Sequence, residues 1–247
     1  MTDTAKTAQR NRGRLFPGLE HTDPELVECF DNWAFGEVLE EGGLDARLRL
    51  MVQLAALIAC HAVGEYRAML ADALNAGVTP VEAKEIVYQA VPYVGMGKVS
   101  DFLHATNEVF RSHGIALPLP GQSTVTSRTR HARGLEIQKR LFGERIDAMV
   151  AQAPKDQRHI QRFLSANCFG DWYTRGGLEL KTRELLTFAM LASLGGCEAQ
   201  VAAHVAGNLA IGNERQVLID TLTSLLPFIG YPRVLNALRA VDEGTAA

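Results

Sequence analysis

The 247 residues are enough to bury a sizeable core, in one large domain or two smaller ones. With 25 Lys and Arg against 28 Asp and Glu, a net charge of -3 and no long run of one sign, the chain shows neither a nucleic-acid footprint nor an acidic tail. A small molecule or another copy of the chain is the expected partner. No stretch approaches the roughly 18 apolar residues of a membrane span and the polar opening MTDTAKTAQRNR holds no apolar signal core, so a cytoplasmic protein without membrane contact is expected.

Ala, Leu, Glu, Arg and Met recur at helical spacing, and alternating strand patterns are weak throughout, so the chain reads as all-α. Thr22 or Asp23, followed by Pro24, starts a helix that runs through Leu26, Phe30 and Trp33. Gly77 suits a helix C-terminus, and Thr79-Pro80-Val81-Glu82 supplies an N-cap, a proline at the first helical position and a glutamate two residues later. From Ser112 to Arg130 the chain is rich in Pro, Ser and Thr and reads as a linker laid across the surface. Beyond it the patterns return. GRLFPG (from Gly13) answers KRLFG (from Lys139). FGEVLEEGGLDARLRL (from Phe35) answers FGDWYTRGGLELKTREL (from Phe169), and GVTPVEAKEIVYQAVPYVGMGKV (from Gly77) answers GNERQVLIDTLTSLLPFIGYPRV (from Gly212). The last two matches are offset by 134 and 135 residues, which implies a duplicated unit with one residue inserted near Gly195. The units are placed at 13–111 and 131–241 with the linker at 112–130, and Gly212, Asn213 and Gln216 are expected to repeat the helix-start logic of Gly77 to Glu82. The final DEGTAA is expected to fray.

The stretch from Glu184 to Gly212 reads as two helices reversed about Gly195 and Gly196, and it carries Glu184, Cys197 and His204. At about 1.5 Å per residue, Glu184 lies about 15 Å before the turn and His204 about 10 Å beyond Cys197, which brings acid and imidazole within about one turn of each other. Each has a bland account: a surface acid near a helix start, a core histidine between Val201 and Val205, a buried structural thiol. The chemical account makes Glu184 and His204 a proton-transfer pair, with Cys197 at a helix N-terminus where a thiol pKa is lowered. Under the repeat offsets the first unit has Leu50, Ala62 and Met69 at these positions, and Glu65 opposite Gln200, so the second unit is expected to carry the chemistry. Trp172, Tyr173 and Arg175 read as a pocket mouth where Arg holds a carboxylate, and Arg183 as an anion contact or a surface residue. The four cysteines lack Cys-x-x-Cys spacing, and the chain has no metal-ligand spacing or phosphate-binding glycine loop, so no metal and no cofactor are expected.

GLEIQKRLFG (from Gly134), FGDWYTRGGLELKTRELLTFAMLAS (from Phe169), AAHVAGNLAIG (from Ala202) and PFIGYPRVLNAL (from Pro227) resemble the carboxymuconolactone decarboxylase family, and the first unit resembles it less closely. The resemblance implies a duplicated helical-bundle unit and rings of six units, hence a homotrimer here. It spans two chemistries. In the decarboxylases of aromatic compound catabolism, cofactor-free lyases, the family histidine corresponds to His204 and a Trp-Thr-Arg-like stretch to Trp172–Arg175. The alkylhydroperoxidase D-like branch carries Cys-x-x-Cys-x-x-x-His with an upstream glutamate. Cys197, His204 and Glu184 match that pattern, but Gln200 stands where the resolving cysteine belongs. The resemblance thus implies a lyase acting on a small carboxylated lactone, with Glu184, Cys197 and His204 as catalytic candidates and Trp172, Tyr173, Arg175, Arg183 and Gln200 as substrate-binding ones. The alternatives are a peroxidase using Cys197 alone and a non-catalytic small-molecule binder.

Overall fold

The computed structural model describes residues 15–246, and every regular element among them is helical. The opening dodecapeptide and the Gly13-Arg14 pair of the first repeat motif lie outside the described residues. The first unit contributes α1 (Pro24–Asn32), α2 (Ala46–Ala59), α3 (Val63–Asn75), α4 (Pro80–Val94) and α5 (Met96–Ser112). The second contributes α6 (Arg130–Phe142), α7 (Arg145–Gln152), α8 (Arg158–Phe163), α9 (Leu180–Leu194), α10 (Glu198–Ala210), α11 (Arg215–Ile229) and α12 (Tyr231–Thr245). Helices α1 to α5 thus recur as α8 to α12. In both units the helix before the Gly-Gly-Leu turn widens into π-helix, at Trp33–Glu37 and at Leu164–Tyr173.

The centre is the pair α2 and α9. Met51 to Ala59 and Arg183 to Ser193 are buried without a break, because these helices are apolar on nearly every side. They pack against each other, and one hydrophobic core runs through both units. Polar ties cross it in a matching pair: Gln53 Nε2 donates to Ser224 O at 3.1 Å, and Gln89 Nε2 to Thr187 Oγ1 at 3.2 Å. Gln53 is the repeat equivalent of Thr187, and Gln89 of Ser224.

Local signals account for several helix ends. Asp45 caps α2 by accepting from Leu48 N at 2.9 Å, and Thr79 with Glu82 forms a reciprocal capping box on α4. Asp23 with Pro24 starts α1, although its side chain makes no cap bond. The second unit does not repeat the capping box. Glu214 precedes α11 without a side-chain bond, Gln216 donates along the helix to Asp220, and Asn213 reaches Asn208 and Lys181 O instead. The expected frayed end is also corrected, since α12 continues to Thr245 with Arg215 bound to Asp242 and Thr245. After α5 the chain runs along the second unit, where Gln122 O accepts from Gly176 N at 2.9 Å and Thr124 Oγ1 donates to Thr174 O at 2.7 Å.

Two close approaches set the frame of the site. Gly195 and Gly196, with φ of 68° and 70°, turn α9 back into α10. Gly134 of α6 and Gly170 of the π-helical segment let the two backbones touch, because a Cβ on either would fall inside the other's main chain. That contact holds α6 and its Phe142 beside α10.

Candidate active site

Glu184, on the second turn of α9, is fully buried, and its carboxylate is the hub of the site. Oε1 lies 2.6 Å from His204 Nδ1, across the hairpin on α10. Oε2 accepts from Tyr173 Oη at 2.7 Å, and Tyr173 Oη is itself 2.7 Å from Thr187 Oγ1. Tyr93, from α4 of the first unit, donates to Tyr173 Oη at 3.1 Å. Asn208 Nδ2 ties α10 to α9 by donating to His204 O at 2.7 Å and Glu184 O at 3.2 Å. The carboxylate fits because Gly207 faces it: a Cβ there would overlap Glu184 Oε1 and lie 3.2 Å from Phe142 Cε1.

The His204 ring stands edge-on between Phe142 and Tyr93, with centroids 5.3 and 5.8 Å away. The Nδ1 contact with the carboxylate leaves Nε2 as the ring nitrogen available to exchange a proton. Nε2 has no protein partner among the described residues, and His204 lines a mainly apolar cavity of about 490 Å³. Phe142, Leu164 and Phe169 form its walls, Pro92 and Tyr93 of the first unit close one side, and Gln200 and Arg145 bring polar groups to it. Arg145 is exposed, its guanidinium 5.6 Å from the Phe142 ring centre. The arrangement is a carboxylate-oriented imidazole at the edge of a mainly apolar cavity, with Arg145 as the cation on its lining.

The candidate residues separate into groups. Glu184 and His204 converge, and Gln200 shares their cavity. Tyr173 is buried against the carboxylate and absent from the cavity wall. Cys197 is elsewhere: it lines a small separate cavity of about 20 Å³ with Arg233, and its thiol donates to Leu191 O at 3.2 Å. Burial, and then the charge of Glu198, push this thiol up rather than down. The expected helix-terminus activation is therefore not what its surroundings provide.

Arg175 and Arg183 also leave the expected position. Both bind Glu85 of the first unit, Arg175 through a two-pronged contact at 2.9 to 3.0 Å and Arg183 Nη2 at 2.9 Å. Arg183 has no exposed surface and also donates to Gln89 Oε1, Arg175 O and Gly176 O, so it fastens the Gly-Gly turn and cannot meet a ligand. Trp172 packs near Tyr88 with the Arg175 guanidinium 5.9 Å from its ring centre, away from His204's cavity. Sequence reasoning missed Arg145 and Tyr93. Arg145 follows the repeated Arg-Leu-Phe motif by three residues. Tyr93 carries a hydroxyl where its repeat partner is Phe228, the one usable signal.

In the first unit, aromatic rings gather at the equivalent positions. Phe30 takes the place of Leu164 and packs edge-on against Phe16, Phe35 and Phe228, with centroids at 5.3, 6.1 and 6.3 Å. Met69, opposite His204, belongs to the apolar core, and half-buried Leu50, opposite Glu184, packs against it.

Cys168 lies on the cavity wall with its thiol 3.7 Å from Tyr93 Oη, and burial pushes it up to about 12. An unfolded thiol ionises near pH 8.5, so the stability that comes from keeping Cys168 neutral is complete below that pH and is lost progressively from there to about 12. In chemical denaturation from pH 8 to 10, the wild type is expected to lose up to about 1.4 kcal/mol per pH unit more than Cys168→Ala. Equal slopes would contradict this.

Among the described residues no three His, Cys, Asp or Glu side chains gather as a metal site, and no helix is long and apolar enough to cross a membrane. A duplicated all-helical bundle with a buried Glu–His pair across a helical hairpin defines the class, and the chain belongs to the carboxymuconolactone decarboxylase family, whose model matches residues 24–108 and 158–243. The two matches follow the internal repeat. Among curated proteins, it is similar to a 4-carboxymuconolactone decarboxylase from Acinetobacter baylyi (strain ATCC 33305 / BD413 / ADP1), 29% identical over 113 residues, which are 46% of this chain and 84% of the relative.

Proposed function

We propose that this chain is a cofactor-independent lyase of the carboxymuconolactone decarboxylase type, acting on a small carboxylated lactone or a related acid. The observation that carries the reading is the His204 imidazole, oriented by a fully buried Glu184 and presented to an apolar chamber beside Arg145. The named activity of the Acinetobacter relative supports it.

Arg145 holds a substrate carboxylate through charge-assisted hydrogen bonds. The bond between the departing carboxylate and its carbon breaks, carbon dioxide leaves, and the electron pair passes into the conjugated lactone as an enolate. His204 Nε2 takes up a proton from solvent and passes it to the carbanionic carbon, which leaves the imidazole neutral with Nδ1 still on Glu184. Tyr173 fixes the second carboxylate oxygen, so the imidazole cannot swing away. The apolar walls favour the step, since a carboxylate loses its charge as carbon dioxide forms.

The test is to present 4-carboxymuconolactone and measure carbon dioxide release without added thiol or peroxide. Release by the wild type is expected. Arg145→Ala is expected to raise KM by about 10–100-fold, the scale of one or two lost hydrogen bonds to a charged group. Unchanged KM would remove Arg145 from the site. A wild type that binds the lactone without turnover would favour the binder reading. For the thiol peroxidase, the favourable sequence feature is the phase of Cys197 with His204, and the separation of their cavities works against it.

A further inference from the structure

A second cavity, of about 390 Å³, lies between α4, α5 and the linker, on the first unit's side of the Arg175–Glu85 pair. Its charge is unbalanced. Lys84, Arg111 and Arg175 line it, and the single carboxylate present, Glu85, is already saturated by Arg175 and by the buried Arg183. Lys84 is only 8% exposed, yet among the described residues it has no acidic partner. Its ammonium donates to the neutral Asn107 Oδ1 at 2.5 Å and lies 5.3 Å from the Phe110 ring centre. Burial and then the nearby Arg111 push this amine down. A buried cation is ordinarily paired, because removing it from water without a counter-charge is costly. The opening beside Lys84 is where the counter-charge fits.

The remaining lining is mixed. Asn107 and Gln122 are polar, while Tyr88, with the Arg175 guanidinium 5.0 Å from its ring centre, lines the cavity together with Leu117, Pro118, Leu119 and Pro120 of the linker. The duplication makes the feature particular to this half: the positions equivalent to Lys84 and Arg175 are Ile219 and Glu41.

We propose that this cavity is a second small-molecule site, for an organic anion with a flat apolar body such as an aromatic carboxylate. The carboxylate sits between Lys84 and Arg111, and the ring lies against Tyr88 and the prolines. The proposal is independent of the chemistry at His204.

The test uses the full chain carrying Arg145→Ala, which removes the cation of the His204 cavity, titrated with sodium benzoate in a calorimeter. One saturable site is expected, and adding Lys84→Met is expected to weaken it at least about tenfold, as for a lost hydrogen bond to a charge. Lys84→Met keeps the length of the stem and deletes an unpaired buried charge, so its melting temperature is expected at or above the parent's. Should that variant not fold, exposed Arg111→Gln is expected to weaken benzoate by a similar factor. Inorganic phosphate, which gains nothing from Tyr88 or the prolines, is expected to bind less tightly than benzoate. The proposal is overturned by no saturable binding, by equal benzoate affinity with and without Lys84 and Arg111, or by tighter binding of phosphate. A change in oligomeric mass caused by Lys84→Met also overturns it, since a second copy's carboxylate would then be the counter-charge.

Discussion

Replacing Glu184 by Leu and His204 by Met together is expected to leave a folded protein with carbon dioxide release lowered at least about 10²–10⁴-fold, the contribution of a positioned general acid–base group. The substitutions copy the first unit, where buried Met69 and half-buried Leu50, packed against the core, hold the equivalent places. Replacing both partners of a buried hydrogen bond by apolar groups of similar shape is often nearly neutral. Against that stands the Tyr173 hydroxyl, which loses its carboxylate acceptor but keeps Thr187 within 2.7 Å. The melting temperature is therefore expected within a few degrees of the wild type, by roughly 1 kcal/mol of net change. Glu184→Leu alone is expected to be less stable than the pair, because it strips His204 of its partner and leaves a buried imidazole unsatisfied. Calorimetric melting beside the activity assay separates the cases. A double variant that fails to fold, or one that keeps wild-type turnover, contradicts the account.

Gly207→Ala is the smallest change expected to have a large effect. Its methyl group would overlap Glu184 Oε1 and press on Phe142, so the carboxylate must leave the oxygen position it shares with His204 Nδ1. Overpacking of this kind costs about 1–3 kcal/mol of stability. The larger consequence is kinetic: an imidazole no longer held by Glu184 is expected to lower kcat by about a hundredfold, with KM nearly unchanged because Arg145 and the apolar walls are untouched. Wild-type kcat in Gly207→Ala would show that the Glu184–His204 contact is not used.

The fold was legible because the chain is helical nearly throughout and says its pattern twice. The offset between repeats pairs α1 to α5 with α8 to α12, and the Gly195-Gly196 reversal with the helical rise brings Glu184 to His204. Cys197 escaped for a local reason. Its φ and ψ of -137° and 40° place it outside α10, so helical phase with His204 does not extend to it. The π-helical stretch at Leu164–Tyr173 left no sequence signal, since it is packed along α6, a contact between separate segments of the chain. Arg183 was misplaced because Glu85, which neutralises it, is 98 residues away in the other unit. Tyr93 enters the site by the same exchange: α4 of the first unit closes the second unit's cavity, while Phe228 of the second packs against Phe30 of the first.

That exchange explains why the first unit can lack the carboxylate and imidazole that the second keeps. The helices are still needed to complete the core and to carry Tyr93, whereas the acid–imidazole pair is not needed twice. Phe30 in the first unit, packed against Phe16, stands at the position of Leu164, which lines the cavity in the second.

The most direct test of the central claim is the rate of carbon dioxide release from 4-carboxymuconolactone by the wild type, by Cys197→Ser and by Glu184→Gln. The account predicts turnover by the wild type, the same kcat for Cys197→Ser, and a kcat lowered at least about a hundredfold for Glu184→Gln. No release by the wild type, or a loss in Cys197→Ser with Glu184→Gln unaffected, would contradict it.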